Sequence, residues 1–228
     1  MAQNKRRTMS QVKRLTPKPE DDGYDEFISA SAKLKKPEKG SVYVTKPYGS
    51  DQEAIDWKMK QLHPKLLGLW CPMKYTIKKK EKVYVPYTLF VFDYELRRGS
   101  NPGGKLDRTG QIGVIFDMNQ VHSFHFDLID DLGLQKKTIA NLSGPLLPKA
   151  CSDEEALANA EETVKSNYLR KVFAAIPIVT LKNKVPFYRE AWKLDLECKG
   201  TMYEKYAYMD VFDMSNEYIS GLKVRLDI

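Results

Sequence analysis

Val83-Tyr-Val-Pro-Tyr-Thr-Leu-Phe-Val-Phe-Asp-Tyr-Glu-Leu96 is the stretch of sequence that decides the fold. Its β-branched and aromatic residues predict a β-strand over residues 83–96. Both faces of this strand are apolar until Asp93, whereas a half-buried strand alternates apolar and polar residues. The sequence therefore predicts a sheet that is covered on both faces, with a second unit of the same chain as one of the covers.

Short segments recur about a hundred residues apart in the same order. An offset of 100 relates Val85-Pro-Tyr87 to Val185-Pro-Phe187. Offsets of 102 and 96 relate two further pairs of segments, namely Ser50-Asp-Gln-Glu-Ala-Ile55 with Ser152-Asp-Glu-Glu-Ala-Leu157, and Phe116-Asp-Met118 with Phe212-Asp-Met214. Because the order is kept, the pattern predicts two copies of one supersecondary unit.

Each predicted unit begins with a helix. Ser50 and Ser152 are good N-cap residues, and Glu53 and Glu155 follow three residues later. A serine hydroxyl can accept from the third helical amide while the glutamate reaches back to the serine amide, so both helices are predicted to begin with a capping box.

Strands follow each predicted helix. In the first unit we expect strands 73–78 and 83–96, separated by a lysine-rich turn, and a hairpin of residues 111–118 and 121–127. In the second unit Trp192 and Leu194 alternate with Arg189, Lys193 and Asp195, which predicts a strand over residues 187–198 with one buried face. The remaining strands predicted in the second unit are 178–182, 203–213 and 217–226.

The predicted fold class is therefore α+β, with two tandem copies of a helix followed by a three- to four-stranded antiparallel meander. A flexible basic tail precedes them, because its charged and Pro-containing sequence buries little apolar surface. The predicted boundaries are a disordered tail over residues 1–40, a first unit over 41–128, a linker with a short helix over 129–149, and a second unit over 150–228.

The order of elements resembles PepSY and cystatin-like domains, in which a helix wraps on an antiparallel sheet and an Asp ends the second-to-last strand. Asp117 and Asp213 stand in that position. The chain departs from the PepSY pattern because Asn119-Gln120 and Ser215-Asn216 replace the usual Thr-Gly, and because it has no export signal. The resemblance covers both units and implies a protein that binds or inhibits partner proteins.

Charge separates the two predicted units. The 228-residue chain has a net charge of +7. Residues 41–150 hold sixteen basic and eleven acidic residues, a balance of +5, whereas residues 151–228 hold eleven and thirteen, a balance of −2. A positive field of this kind attracts nucleic acid, an anionic surface or an acidic partner protein. No apolar run is long enough for a membrane span, and the three cysteines without framework spacing predict reduced thiols in the cytoplasm.

Basic residues of the first unit are the candidate site for an anionic partner. They are Lys78, Lys79, Lys80, Lys82, Arg97, Arg98, Lys105 and Arg108. Three interpretations of the lysines remain open: a solvated turn, a surface for an acidic protein or other anionic partner, and a nucleic-acid surface on which neighbouring tyrosines stack with bases. In a simple meander the lysines and the arginines fall at opposite strand ends, which counts against one continuous patch.

Catalytic and metal-binding patterns are absent from the sequence. His122 and His125 lie three residues apart on a predicted strand, so they point to opposite faces and cannot chelate together. There is no phosphate-binding glycine loop or nucleophile elbow. We therefore expect no enzymatic activity, no cofactor and no metal.

The leading hypothesis is a non-enzymatic binding protein that acts through protein–protein contacts, because its sheets offer a groove or edge for an extended segment. The alternative is a nucleic-acid-binding accessory protein that uses the basic tail and the basic first unit. Three points stay open at the level of sequence: the partner's identity, the oligomeric state, and whether the two units pack sheet to sheet or share one sheet.

Overall fold

The computed structural model describes residues 28–62, 65–66, 69–70, 74–97, 106–169 and 176–210. These residues form a seven-stranded sheet, with helices and irregular segments packed on it, and a separate two-stranded sheet. In chain order the elements are α1 (Ala30–Lys33), β1 (Ser41–Val44), α2 (Asp51–Leu62), β2 (Lys65–Leu66), β3 (Leu69–Trp70), β4 (Thr76–Arg97), β5 (Leu106–Asp117), β6 (His122–Phe126), β7 (Gln135–Thr138), α3 (Asp153–Thr163), β8 (Ile176–Cys198) and β9 (Thr201–Tyr208).

Two long strands form the centre of the sheet. β4 has 22 residues and β8 has 23, and they pair antiparallel from Thr76 opposite Glu197 to Arg97 opposite Ile176. At about 3.3 Å per residue, each strand is roughly 70 Å long. The prediction of two short strands separated by a lysine-rich turn is wrong, because residues 76–97 form one uninterrupted strand.

The remaining strands pair outward from this centre. The order across the sheet is β6-β5-β4-β8-β1-β7, and β9 also pairs with β8. The pairing is antiparallel except between β1 and β8, where Val44 lies opposite Tyr188. β7 lies within the stretch that was predicted as a linker with a short helix, and a three-residue 3-10 helix (Ile139–Asn141) follows it.

The prediction of two tandem helix-plus-meander units is wrong, because segments that match in sequence are partners within one sheet. Tyr87 of Val85-Pro-Tyr87 lies directly opposite Phe187 of Val185-Pro-Phe187. Their rings stack with centroids 5.7 Å apart. The matched strands therefore pair with each other along their whole length and do not form equivalent parts of two separate sheets.

Helix packing also departs from the tandem arrangement. α2 packs with Ala54 and Ile55 against Leu194 and Leu196 of β8 and Ala207 of β9. α3 packs against β4 and β5 through Ala156 and Ala160. Each helix thus covers strands that the sequence had assigned to the other unit, so neither predicted unit has a core of its own.

Both faces of β4 are buried, as the double apolar pattern of residues 83–96 predicts. One face packs with β8 and β5 beneath residues 28–34 and 128–134, and its β4 members are Val83, Val85, Tyr87, Leu89 and Val91. The opposite face packs against α3 through Phe90, Phe92 and Leu96. Burial of each large apolar side chain contributes about 1.5–3 kcal/mol, which makes this strand the centre of the core.

Part of the predicted tail packs on the sheet. Ser31 and Ala32 are buried. The Asn183 side-chain amide donates to the carbonyls of Ala32 and Leu34 at 2.8 and 3.0 Å, which ties the segment to β8. Residues 1–27 of the predicted tail lie outside the described residues.

Both predicted capping boxes are confirmed. The Ser152 hydroxyl accepts from the Glu155 amide at 3.1 Å, and the Glu155 carboxylate accepts from the Ser152 amide at 2.8 Å. At α2 the corresponding distances between Ser50 and Glu53 are 3.3 and 2.7 Å. These pairs satisfy amides that a helix leaves without intrahelical partners.

The predicted hairpin of β5 and β6 is confirmed as well. Asp117 ends β5, and its carboxylate accepts from the amides of Asn119 and Gln120 at 2.8 and 2.9 Å. The side chain therefore caps the turn, as Asp residues in turns commonly do. Asp213, which matches it in sequence, lies outside the described residues.

Candidate functional site

The predicted basic site divides into separate places on the sheet. Lys78, Lys79, Lys80 and Lys82 lie within β4, near one end of the central strand pair, and Arg97 ends β4 at the other. The fifteen residue steps from Lys82 to Arg97 span about 50 Å at about 3.3 Å per residue. Arg98 and Lys105 lie outside the described residues, and Arg108 is on β5 opposite Leu96. For the described residues, the expectation that lysines and arginines fall at opposite strand ends is confirmed.

Three of these four lysines are paired with acidic residues of the same chain. Lys78 contacts Glu197, and Lys79 Nζ lies 3.3 Å from Glu81. Lys82 Nζ lies 2.7 Å from Glu190. The prediction that these lysines form a hairpin turn is wrong, and the structure places their charges beside carboxylates of the same sheet.

Lys82 is the centre of a half-buried polar cluster, whose other members are Asp51 of α2, Tyr84 of β4, Lys137 of β7, Ser143 and Glu190 of β8. The Glu190 carboxylate lies 2.7 Å from Lys82 Nζ and 3.4 Å from Lys137 Nζ. The Tyr84 hydroxyl is within 3.0 Å of Ser143 Oγ. Burial disfavours the Lys82 ammonium, but its hydrogen bonds to Glu190 and Asp51 outweigh that effect and raise its pKa.

Trp192 extends the same face of the sheet. The amino groups of Lys80 and Lys82 lie 5.7 and 5.6 Å from the centre of its ring. Contacts of this kind stabilise a cation on an aromatic face. The cluster therefore joins α2, β4, β7 and β8 by internal contacts, and its basic groups face internal acceptors and an aromatic ring.

Arg189 is a buried cation that the sequence analysis missed. Its side chain is 2% exposed, although the alternation along β8 predicted it on the solvent face. The guanidinium donates through Nε and Nη2 to both carboxylate oxygens of Asp210, each at 2.8 Å. It also lies 3.8 Å from the centre of the Tyr208 ring and 5.4 Å from that of Tyr87.

A signal in the matched segments could have identified this position. Leu89 stands where the offset of 100 places Arg189. Leu89 pairs with Ile115 of β5, and both are fully buried. A charged residue at a position matched by a core leucine indicates a buried cation with a paired anion.

The edge formed by β9 has a different character from the polar cluster. Met202 is 56% exposed and Tyr203 41%, so two large apolar side chains stand on opposite faces of one strand. Thr201–Tyr208 pairs with β8 without a register shift. Within the described part of the chain, β9 has no other strand partner.

Turn geometry fixes which way the β9 backbone points. Lys199 and Gly200 have φ angles of 51° and 80°, as in a two-residue type I′ hairpin. In such a hairpin the flanking pair, Cys198 and Thr201, is hydrogen-bonded, and the pairs alternate beyond it. The amides and carbonyls of Met202, Glu204 and Tyr206 therefore point away from β8.

Three other strand edges among the described residues differ from β9. β6 has five residues and packs beside α3, where Ser123 Oγ lies 2.7 Å from Thr163 Oγ1. β7 has four residues and presents lysines, which discourage strand addition. The first half of β5 has no outer partner among the described residues, but Gly110 interrupts it, and glycine weakens a strand.

Burial shifts the pKa values of one cysteine and one histidine. Burial raises the pKa of the Cys151 thiol, reinforced by Glu155, which keeps it protonated near neutral pH. Burial lowers the pKa of His125. Among the residues that the structure describes, no group of three or more His, Cys, Asp or Glu could hold a metal ion.

Comparison with known proteins identifies no relative: no family model, curated protein or solved structure matches the chain. The resemblance to PepSY and cystatin-like domains therefore stays a prediction. Within the described ranges, no helix combines the length and apolar content needed to cross a membrane.

Proposed function

We propose that this protein is a non-enzymatic binding protein that accepts an extended segment of a partner protein at the outer edge of β9. The observation that carries the proposal is the row of outward amides and carbonyls at Met202, Glu204 and Tyr206, beside two exposed apolar side chains. A segment that adds to such an edge gains main-chain hydrogen bonds, and its alternate side chains contact the two faces.

The charges of the sheet support a protein partner over nucleic acid. A nucleic-acid surface needs lysines and arginines that are available to phosphates along one groove. Here Lys78, Lys79 and Lys82 are ion-paired, and Arg97 contacts Glu95 about 50 Å away. The positive charge of residues 41–150 is thus partly neutralised within the fold.

Two substitutions at one position test the proposal. Glu204→Pro removes an outward amide and leaves the pairing with β8 intact, because proline is tolerated where the N–H faces away from the sheet. Glu204→Ala keeps that amide and loses the same carboxylate, so it is the matched control. Peptides selected from a display library on the full-length protein serve as the probe.

We expect the proline variant to bind these peptides about two- to tenfold more weakly than the alanine variant, since one hydrogen bond contributes about 0.5–1.5 kcal/mol. Hydrogen exchange should show slower exchange at Met202, Glu204 and Tyr206 when peptide is bound. Equal affinities of the two variants, with unchanged exchange along β9, would overturn the proposal.

A further inference from the structure

The charges on β9 are not equally available to a partner. Lys193 Nζ lies 2.7 Å from the Glu204 carboxylate, and the Tyr206 hydroxyl donates to it at 2.8 Å. These two contacts lower the pKa of Glu204. Lys205 is exposed, and in the described part of the chain no carboxylate forms an ion pair with it. The edge therefore presents one uncompensated positive charge.

Tyr203 and Lys205 share the face of the sheet on which α2 lies. Tyr203 pairs with Leu196 and Lys205 with Leu194, and both leucines pack against α2. Tyr203 also meets Tyr75 edge-on, with ring centroids 5.7 Å apart, which holds the exposed ring at the sheet surface. The two side chains are successive positions on one face, where an added strand also places every second residue.

The direction of the Tyr203 and Lys205 backbone amides determines how close a residue of an added strand lies to these two residues. The amides of Tyr203 and Lys205 point towards β8, so an antiparallel strand added outside β9 meets these residues in non-hydrogen-bonded pairs. Such pairs have Cα atoms about 4.5 Å apart, which is the closer of the two spacings. A side chain of the incoming strand therefore contacts Tyr203 or Lys205 directly.

We infer that the segment accepted by β9 carries a carboxylate opposite Lys205 and, two residues away on the same face, an apolar or aromatic side chain opposite Tyr203. This inference rests on the proposed function of the β9 edge. The carboxylate neutralises the uncompensated ammonium, and the apolar side chain covers a ring that is 41% exposed. On the other face, Met202 accepts a second apolar residue.

The test uses the full-length chain and a library of capped peptides that alternate Thr and Val, with two same-face positions randomised. Selection on the native protein should enrich Asp or Glu at one randomised position and Leu, Phe or Tyr at the other. Lys205→Glu should reverse the charge preference to Lys or Arg and weaken the acidic peptides by about two- to fivefold or more. Lys39→Glu makes the same charge change beside β1 and should leave the selection unchanged.

The outcomes separate this inference from the proposed function. Enriched peptides that slow exchange along β9 but show no acidic preference, or whose preference survives Lys205→Glu, overturn the inference and leave the edge as a binding site. Peptides that bind without slowing exchange along β9 overturn both. Slow hydrogen exchange at Met202, Glu204 and Tyr206 in the free monomer would mean that the chain itself covers the edge. Slow exchange that depends on protein concentration would mean that a second copy of the chain covers it. Either result overturns the inference.

Discussion

Asp210→Ala should destabilise the fold more than any exposed substitution on the same sheet. Asp210 is 2% exposed and accepts two hydrogen bonds from Arg189, which is equally buried. Removing the carboxylate takes away the two hydrogen bonds that Asp210 accepts from the buried guanidinium, and breaking a buried pair in this way costs about 3–5 kcal/mol. The free energy of unfolding of a typical protein is about 5–15 kcal/mol, so this loss is a large share of the total stability.

Replacing both partners should restore much of this loss. Leu89 stands where the offset of 100 places Arg189; it pairs with Ile115, and both residues are fully buried. The double variant Arg189→Leu with Asp210→Ile therefore imports a pair that the chain already uses. An apolar replacement of a buried ion pair is often neutral or stabilising by about 1–4 kcal/mol.

The assay is urea unfolding of the full-length protein, followed by tryptophan fluorescence and circular dichroism. The change in midpoint at constant slope gives the change in free energy of unfolding. Asp93→Ala, which removes an exposed carboxylate from β4, is the control and should change the free energy by less than about 0.5 kcal/mol. If Asp210→Ala proves too unstable to purify, Asp210→Asn keeps the volume and one acceptor.

Two results would refute the reasoning. A cost below about 1 kcal/mol for Asp210→Ala would mean that the guanidinium reaches water or another anion. A double variant as unstable as the single variants would mean that the stacking of Arg189 on Tyr208 and Tyr87, rather than the ion pair, is what the fold requires at this place.

His125, Gly144 and the lysines of β4 each provide a further test of the structure. Burial lowers the pKa of His125 below its ordinary value of 6.5, although Asp127 opposes the shift. The contribution of His125 to the free energy of unfolding should therefore be complete above pH 6.5 and should fall by at most about 1.4 kcal/mol per pH unit below it. His125→Gln should remove this dependence, measured by urea unfolding at a series of pH values. Gly144→Ala would place a Cβ 2.0 Å from the carbonyl oxygen of Lys82 and should cost about 1–3 kcal/mol or more, measured by the same unfolding assay. Alanine at Lys78, Lys79, Lys80 and Lys82 together should not alter the salt dependence of binding to single-stranded DNA, measured by fluorescence anisotropy; a marked loss of slope would support the nucleic-acid alternative.

Local features of the fold were predictable because they depend on residues close in sequence. Both capping boxes involve a serine and a glutamate three positions apart. The Asp117 turn involves amides two and three residues away. The burial of both faces of β4 was predictable too, because a strand without polar alternation must be covered twice.

The arrangement of the two halves was not predictable from the same patterns. The apolar pattern of β4 predicts that the strand is buried, but it does not predict which strand lies beside it. β5, its hairpin partner, and β8 satisfy that pattern equally well. The lysine-rich stretch looked like a turn because four lysines in five residues are unusual in a central strand. Two acidic partners of these lysines, Glu190 and Glu197, lie in β8, more than a hundred residues away. The other two partners, Glu81 and Asp51, are nearer in sequence.

The charge difference between the halves acquires a physical explanation once β4 and β8 are neighbours. Lys78 of the basic half contacts Glu197 of the acidic half, and Lys82 contacts Glu190. Opposite charges on facing strands favour the pairing observed, in which Lys79 lies opposite Asp195 and Glu81 lies opposite Lys193. The balance of +5 against −2 therefore helps to bring the two halves together in one register. Lys205 takes no part in these ion pairs between the halves. It is therefore a better candidate for contact with a partner than the lysine-rich stretch of β4, although that stretch is the most prominent basic feature of the sequence.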